Sequence, residues 1–446
     1  MFINKRMLAK RIYNTKVGMK LWSVFVKLIN VKYIKVTCEK ALRLNDSLPI
    51  QIDLSNKYTL PKIELNNISK KPKALFVMPF YGPDAVGQNN DLKIKALKKL
   101  GYEIHTVMYN SAPWNENSEL WDFVYHVKVQ NKDSYQLKVD HNKKIIPDGH
   151  NIDDWCGDEL VQFIASLNAV NEFDVAVINY VYLSKVALYL PNVTTYLDTH
   201  DIFANRNTRM QDNGVDANNF YYSTTLGEEN KGLSRFDYVI AIQEDEGKYF
   251  EDNTQSKVVV LPPVFTKRYL PLMSNSNRKL KIGFIASGHY PNIVAIKKFI
   301  SAVSNRQESA NIELKIAGSI CPRLSDERLP SFVSIEGFVD CLSEFYSDCD
   351  VIVNPDELLS GLKVKSLEAL SFGKPLVCTI AASAGVHSQY ENHHFDSAEL
   401  CAEYILKLTT QPELLNKLSK ESQTLYDEFS KRYSVIDMFK TTLHRE

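Results

Sequence analysis

The 446-residue chain contains no segment that reaches the ~18–20 uninterrupted apolar residues a membrane span needs. The nearest approach, Leu21–Val26 followed by Leu28–Val31, is short and broken by Lys27. Net charge is missing as well. The 53 Lys and Arg balance 53 Asp and Glu, so the molecule as a whole is not built to bind a polyanion. Seven cysteines occur without a Cys-x-x-Cys pair, and the Cys341/Cys349 spacing matches no common zinc signature. That usage points to reduced thiols and a cytoplasmic setting. Basic and aromatic residues are not interleaved, which argues against a nucleic-acid partner. No Asp-x-Asp stretch stands in a suitable strand-end loop, so no metal and no divalent requirement is expected. His393-His394 does not change this: adjacent residues on a turn rarely share one ion, and a solvated loop is the plainer reading.

The charge that is present lies unevenly. Residues 1–50 carry eleven Lys and Arg against Glu39 and Asp46 alone. Trp22, Phe25 and Leu28 suit insertion into a membrane surface while Lys16, Lys20 and Lys27 meet anionic headgroups. A solvated or packed helix accounts for the same residues equally well, so both readings stand. A secretory leader would need a small-residue cleavage pattern after the basic start, and none follows.

The length implies two domains. From Lys71 short apolar runs alternate with helical patterns: Ala74–Pro79, Gly101–Met108, Val175–Ile178, Thr194–Leu197, Tyr238–Ile242 and Val258–Leu261. Leu261-Pro-Pro-Val264 breaks the series. A second one then runs through Leu280–Ile285, Glu313–Ala317, Phe332–Ile335, Val351–Val353 and Leu376–Val377, with helices at Asn292–Ser304, Leu342–Ser347, Val364–Ser371 and Ser397–Leu408. Such alternation predicts parallel sheets with helical crossovers. The fold class is therefore α/β, two Rossmann-like doubly wound domains facing a cleft, where ligands meet the carboxyl ends of the strands. The divisions are a basic extension over 1–70, domains over 71–262 and 263–425, and a helical end over 426–446, within a helix read from Leu414 to Phe439.

The densest chemical signal is the stretch Gly361–Val377. A glycine opens a helix, Lys363 and Lys365 follow, Glu368 lies on the first turns, and Gly373-Lys-Pro375 stops it. Free N–H groups at a helix start, joined by two ammonium groups, suit a diphosphate. Glu368 can accept hydrogen bonds from ribose hydroxyls. His200 and Asp201 follow the run Thr194–Leu197, at a strand end where polar side chains meet ligand. Asp201 either orients the imidazole or caps the next helix. His105 reads as packing. Glu228-Glu229 and Glu244-Asp-Glu246 read as solvated helix faces, with Glu246 a candidate to cap or line the cleft.

These stretches resemble the GT-B fold glycosyltransferases, in particular the retaining group called family 4. Gly283–Asn292 is similar to the first strand and loop of their second domain, in a subgroup with a Pro-Asn pair. Gly337-Phe-Val-Asp340 and Phe345–Val351 resemble the stretch before the sugar-nucleotide motif, and Gly361–Val377 resembles the motif itself. Asp198–Asp201 and Asp237–Gln243 resemble first-domain stretches. The resemblance spans about residues 73–425. It implies transfer of a sugar, with retention, from a nucleotide-diphosphate sugar to a glycan or lipid-linked glycan acceptor, in polysaccharide or cell-envelope biosynthesis, with no cofactor. It implies Glu368 as ribose ligand, Lys363 facing the pyrophosphate, Lys365 on a basic turn that is equally a surface position, and His200 near the donor sugar. Gly87 matches a glycine of a donor-phosphate loop, and Ser287 and Gly288 occupy the loop after Ile285. The last helix of such folds crosses back to the first domain.

The chain also departs from that pattern. Ser360 stands where the family's sugar-binding glutamate is expected, leaving Asp356 or Glu357 as substitutes. The Arg/Lys pair common after the first strand of the second domain is missing, since Arg278 and Lys281 precede that strand. A non-catalytic partner subunit and a nucleotide-sugar epimerase on the same fold are the alternative readings.

Overall fold

The structure, a computed structural model, describes residues 51–52, 71–79, 81, 85–109, 119–127, 151–212, 222–272, 278–304, 306–324, 328–357 and 362–443. The basic segment 1–50, Ser360 and Gly361 lie outside them. The chain forms two units, one running up to Leu261 and including Val435–Glu446, the other Pro262–Ser434.

The first unit is built on eight parallel strands: β1 (Gln51–Ile52), β2 (Lys73–Met78), β3 (Glu103–Tyr109), β4 (Phe123–Val127), β5 (Val175–Asn179), β6 (Thr194–Asp198), β7 (Tyr238–Ala241) and β8 (Lys257–Val260). Their order is β1-β4-β3-β2-β5-β6-β7-β8. The near-continuous apolar runs have a direct cause. On β2, Leu75 and Val77 enter one core, while Ala74, Phe76 and Met78 enter the other. A central parallel strand is covered on both faces, so alternation is lost. The helices of this unit are α1 (Ala85–Lys99), α2 (Asp158–Asn171), α3 (Arg206–Asp212), α4 (Leu226–Leu233) and α5 (Glu244–Asn253). A 3-10 helix, Val181–Tyr189, follows β5.

The second unit has a five-stranded parallel sheet, ordered β11-β10-β9-β12-β13. Its strands are β9 (Leu280–Ile285), β10 (Ile312–Ala317), β11 (Val333–Gly337), β12 (Val351–Asn354) and β13 (Leu376–Cys378). Around it lie α6 (Tyr290–Ser304), α7 (Leu342–Asp348), α8 (Val364–Ser371), α9 (Ala398–Leu408) and α10 (Glu413–Arg432). Strand order reverses between β2 and β5 in the first sheet and between β9 and β12 in the second, the switch points where open α/β sheets take ligands. Gly373, at φ +66°, ends α8 in the left-handed cap that glycine favours.

Several expectations are corrected. The stretch Leu414–Phe439 is two helices, α10 and α11 (Val435–Leu443), because Tyr433 leaves helical geometry at φ −115°, ψ 88°. α11 belongs to the first unit, where Phe439 packs edge-on against Tyr196, 5.4 Å between ring centroids. β4 carries His126 between its apolar residues and shows no run in sequence. Gly87 is not in a loop: α1 starts at Ala85, ahead of the amphipathic Asp91–Leu100, so Gly87 lies buried in its first turn. Glu229 and Glu246 are buried rather than solvated. His393 is buried too, because the 3-10 turn Glu391–His393 tucks its ring inward, where Nδ1 lies 2.6 Å from Ser388 Oγ. Burial lowers that imidazole to about 4. His105 packs as expected, stacked 4.4 Å from Phe123.

Candidate functional site

In the second unit, polar groups converge beyond β9 and β12. The loop after β9 approaches the loop after β10 closely at Gly288, where a Cβ would come within 2.8 Å of the Ser319 carbonyl oxygen. Its N–H donates to Ser319 Oγ at 3.2 Å. Asn292, on the first turn of α6, ties this loop down by donating to Ser287 O and Oγ at 2.9 and 3.2 Å. Its Oδ1 accepts a hydrogen bond from Lys365. The Pro-Asn pair thus links the β9 loop to the start of α8.

Lys363 and Lys365 meet on one carboxylate. Asp356, 4% exposed just past β12, lies 3.0 Å from Lys363 Nζ and 3.9 Å from Lys365 Nζ. Lys365 is not a surface residue: its ammonium sits over the Phe284 ring at 5.4 Å. Burial lowers it to about 8; Asp356 opposes the shift, and neighbouring Lys363 adds to it. Two cations on one anion leave an excess positive charge at the N-terminus of α8, whose dipole contributes roughly another +0.5. Glu357 takes no part, because it accepts from Ala398 N at the start of α9 and pairs with Lys298. Of the two substitutes for a carboxylate at Ser360, only Asp356 belongs to the cluster. Arg278 precedes β9, but Lys281 lies within it rather than before it; they pair with Asp350 and Asp348 respectively.

Glu368 lies in the second turn of α8, half-buried, its Oε2 accepting from Tyr346 OH at 2.8 Å. Tyr346 is locked by stacking on Phe372 at 4.3 Å. Burial raises the Glu368 carboxyl, and the tyrosine hydrogen bond opposes that.

The first unit holds a second polar cluster at the ends of β5 and β6. His200 Nε2 lies 2.7 Å from Asn179 Oδ1 and 3.4 Å from Asp198 Oδ2. Lys93, from α1, reaches the same Asp198 oxygen at 2.8 Å, as an ion pair without a well-directed hydrogen bond. Lys93 and Asp198 are fully buried, and the His200 side chain is 6% exposed. Burial lowers Lys93, with Asp198 opposing. Burial alone would raise Asp198, but His200 and Lys93 outweigh it and hold the carboxyl below its usual value. Tyr180 covers the imidazole at 4.6 Å between centroids. Tyr180 and His200 both have left-handed backbones, φ +66° and +62°. Such conformations cost about 1–3 kcal/mol each and concentrate at ligand sites.

Asp201 does not orient His200; it accepts from Ile202 N at 2.8 Å and pairs with Arg206 at 3.1 Å. Asp198 and Asn179 hold the ring instead. Lys93 and Asn179 went unrecognised in sequence: each stands in an ordinary helix or strand pattern, and only folding brings them beside His200. Glu246, 3% exposed at the start of α5, is pushed up to about 8 by burial, with Asp201 adding to the shift. Among the described residues no group of His, Cys, Asp or Glu is arranged to hold a metal ion.

Residues 279–411 match the family of glycosyl transferases group 1. No curated protein matches the chain. Many solved structures are similar in fold, three of which follow. Sucrose-phosphate synthase from Thermosynechococcus elongatus is 13% identical, with a TM-score of 0.62 over 83% of this chain and 98% of that one. Anabaena HepE, in complex with UDP and glucose, is 14% identical, with a TM-score of 0.57 over 83% and 98%. S. aureus TarM, in complex with UDP and alpha-GlcNAc-glycerol among other ligands, is 10% identical, with a TM-score of 0.59 over 84% and 100%. Two parallel-sheet Rossmann-like units, a GT-B fold and a glycosyl transferases group 1 domain in the second of them together support a glycosyltransferase.

Proposed function

We propose that the chain moves a sugar from a nucleotide-diphosphate sugar to a glycan or lipid-linked glycan acceptor, with retention, in polysaccharide or cell-envelope glycan assembly. The observation that carries this is the excess positive charge gathered by Lys363, Lys365 and Asp356 at the entry of α8, with Glu368 one turn further in. That arrangement suits a diphosphate with a ribose beside it. HepE and TarM, whose structures hold UDP, supply the likeness for the donor class. The donor side of the reaction then rests on Lys363 and the α8 N–H groups, which stabilise the charge that grows on the departing diphosphate. Asp356, beside both lysines, is assigned the sugar contact that Ser360 cannot make. His200 is assigned to the transferred sugar, which passes through an oxocarbenium-like state. No metal takes part in this account. The basic segment 1–50 is proposed to rest on the inner face of a cytoplasmic membrane.

Incubation with a panel of UDP-, GDP- and dTDP-sugars, following hydrolysis and transfer, tests the proposal. Turnover of one donor class supports it. Absence of both turnover and nucleotide binding would leave a non-catalytic partner subunit, and an altered but untransferred sugar would mean an epimerase. Flotation with anionic liposomes, full chain against a chain starting at Pro61, tests the membrane contact; equal flotation would remove residues 1–50 from it.

A further inference from the structure

Among the described residues Glu368 pairs with no cation; a phenol faces it instead. Its Oε2 accepts a hydrogen bond from Tyr346 OH at 2.8 Å. Tyr346 stands on α7 and is fully buried. A buried hydroxyl has to place its one hydrogen on an acceptor, and Glu368 is the acceptor here. The ring that carries it is fixed on two sides. It stacks on Phe372 at 4.3 Å and meets Phe345 edge-on at 5.6 Å between centroids. The phenol therefore reaches Glu368 as a rigid part of the core.

That contact settles the second carboxyl oxygen as well as the first. A carboxyl group is planar, so seating Oε2 on the phenol sets the direction of Oε1. Among the described residues Oε1 takes no hydrogen bond, and Glu368 is only half-buried. One oxygen is tied to the core and the other is left for a ligand. The phenol also acts on charge. Burial favours the neutral carboxyl, whereas a hydroxyl donor favours the carboxylate. An ionised carboxylate accepts and does not donate, so it suits a ribose hydroxyl and gains nothing from a C–H in its place. A site built to bond a hydroxyl rejects the analogue that lacks it, because its own polar group is then left unpaired.

We propose that Tyr346 is a positioning residue for the nucleotide. By holding Glu368 Oε2 it aims Oε1 at the ribose, and so makes the site select ribonucleoside over 2′-deoxyribonucleoside diphosphates. This rests on the assignment of Glu368 to the ribose, and adds to it a second residue and a substrate class.

The test is calorimetric titration of the full chain with UDP, GDP and their 2′-deoxy forms. The wild type should bind a ribonucleotide about tenfold more tightly than its 2′-deoxy form. Tyr346→Phe keeps the ring and its stacking and removes one oxygen. It should weaken the ribonucleotide by about threefold to tenfold and leave the 2′-deoxy form nearly unchanged, so the preference shrinks. In a Glu368→Ala background the same replacement should change neither affinity. An equal loss for both nucleotides in folded Tyr346→Phe would mark a purely structural tyrosine and overturn the proposal. So would a wild type without ribose preference, a result that needs no variant to fold. Binding without that preference defeats this proposal alone, whereas a wild type that binds none of the four defeats the nucleotide site along with it.

Discussion

The two polar clusters spend their charges differently. In the second unit Lys363 and Lys365 share one carboxylate at a helix entry and leave positive charge over. In the first unit Lys93 and Asp198 balance each other inside the core, with His200 alongside. The first arrangement would be completed by an anion, as the proposed diphosphate site requires. The second is matched in charge within the core, beside the ring of His200. An excess of partly buried charge marks a ligand, whereas a matched buried pair marks support for a neighbouring group.

That contrast can be broken by removing one partner from each cluster. Asp198→Ala leaves Lys93 buried without its anion, and should cost about 3–5 kcal/mol. Lys363→Ala leaves Asp356 with Lys365 still beside it and relieves the repulsion between the two lysines, so losing the buried charge-assisted hydrogen bond should cost less, about 1–3 kcal/mol. Thermal melts of the two variants check this; equal losses would erase the distinction. A further stability effect, spread over pH, belongs to Glu246. Its native value of about 8 lies above the ordinary 4.5, so between those pH values the folded chain holds a proton that the unfolded chain has released. Stability from this group therefore falls as pH rises from about 4.5 to about 8, by a few kcal/mol in all. Glu246→Gln should flatten that slope in melts taken from pH 5 to 9.

Lys365 sharpens the comparison from the ligand side. Its value of about 8 means that it loses its proton within the working range, and a bound diphosphate would favour the charged form. Nucleoside diphosphate binding should therefore take up protons near pH 8 and weaken up to about tenfold between pH 7 and 9. Calorimetry in buffers of different ionisation heat reads the proton uptake. In Lys365→Met the uptake should vanish.

The sequence made the second cluster readable because its parts are close in the chain or carry a local signal. The helix α8, its Gly373 stop and the run from Lys363 to Glu368 lie within a dozen residues, and the strand before them is plain. The part that Asp356 plays and the bridge made by Asn292 needed the fold, since each joins two loops. The first cluster was legible only at His200. Lys93 reads as one more lysine on an amphipathic helix, and Asn179 as the polar end of an apolar strand. What joins them is the reach of Lys93 from α1 to Asp198 at the end of β6, beside Asn179 and His200, to which no local pattern points. The buried state of Glu229 and Glu246 was hidden for the same reason: a glutamate on a helix reads as solvated until a second element covers it.

The central claim is that the entry of α8 is a nucleoside diphosphate site, and calorimetric titration of UDP, GDP and dTDP into the full chain and two variants tests it most directly. One nucleotide should bind the wild type, Lys363→Ala should weaken it by roughly tenfold to a hundredfold through loss of a charge-assisted contact, and Glu368→Gln should weaken it less. Binding unchanged in folded Lys363→Ala, or no binding of any of the three by the wild type, would contradict it.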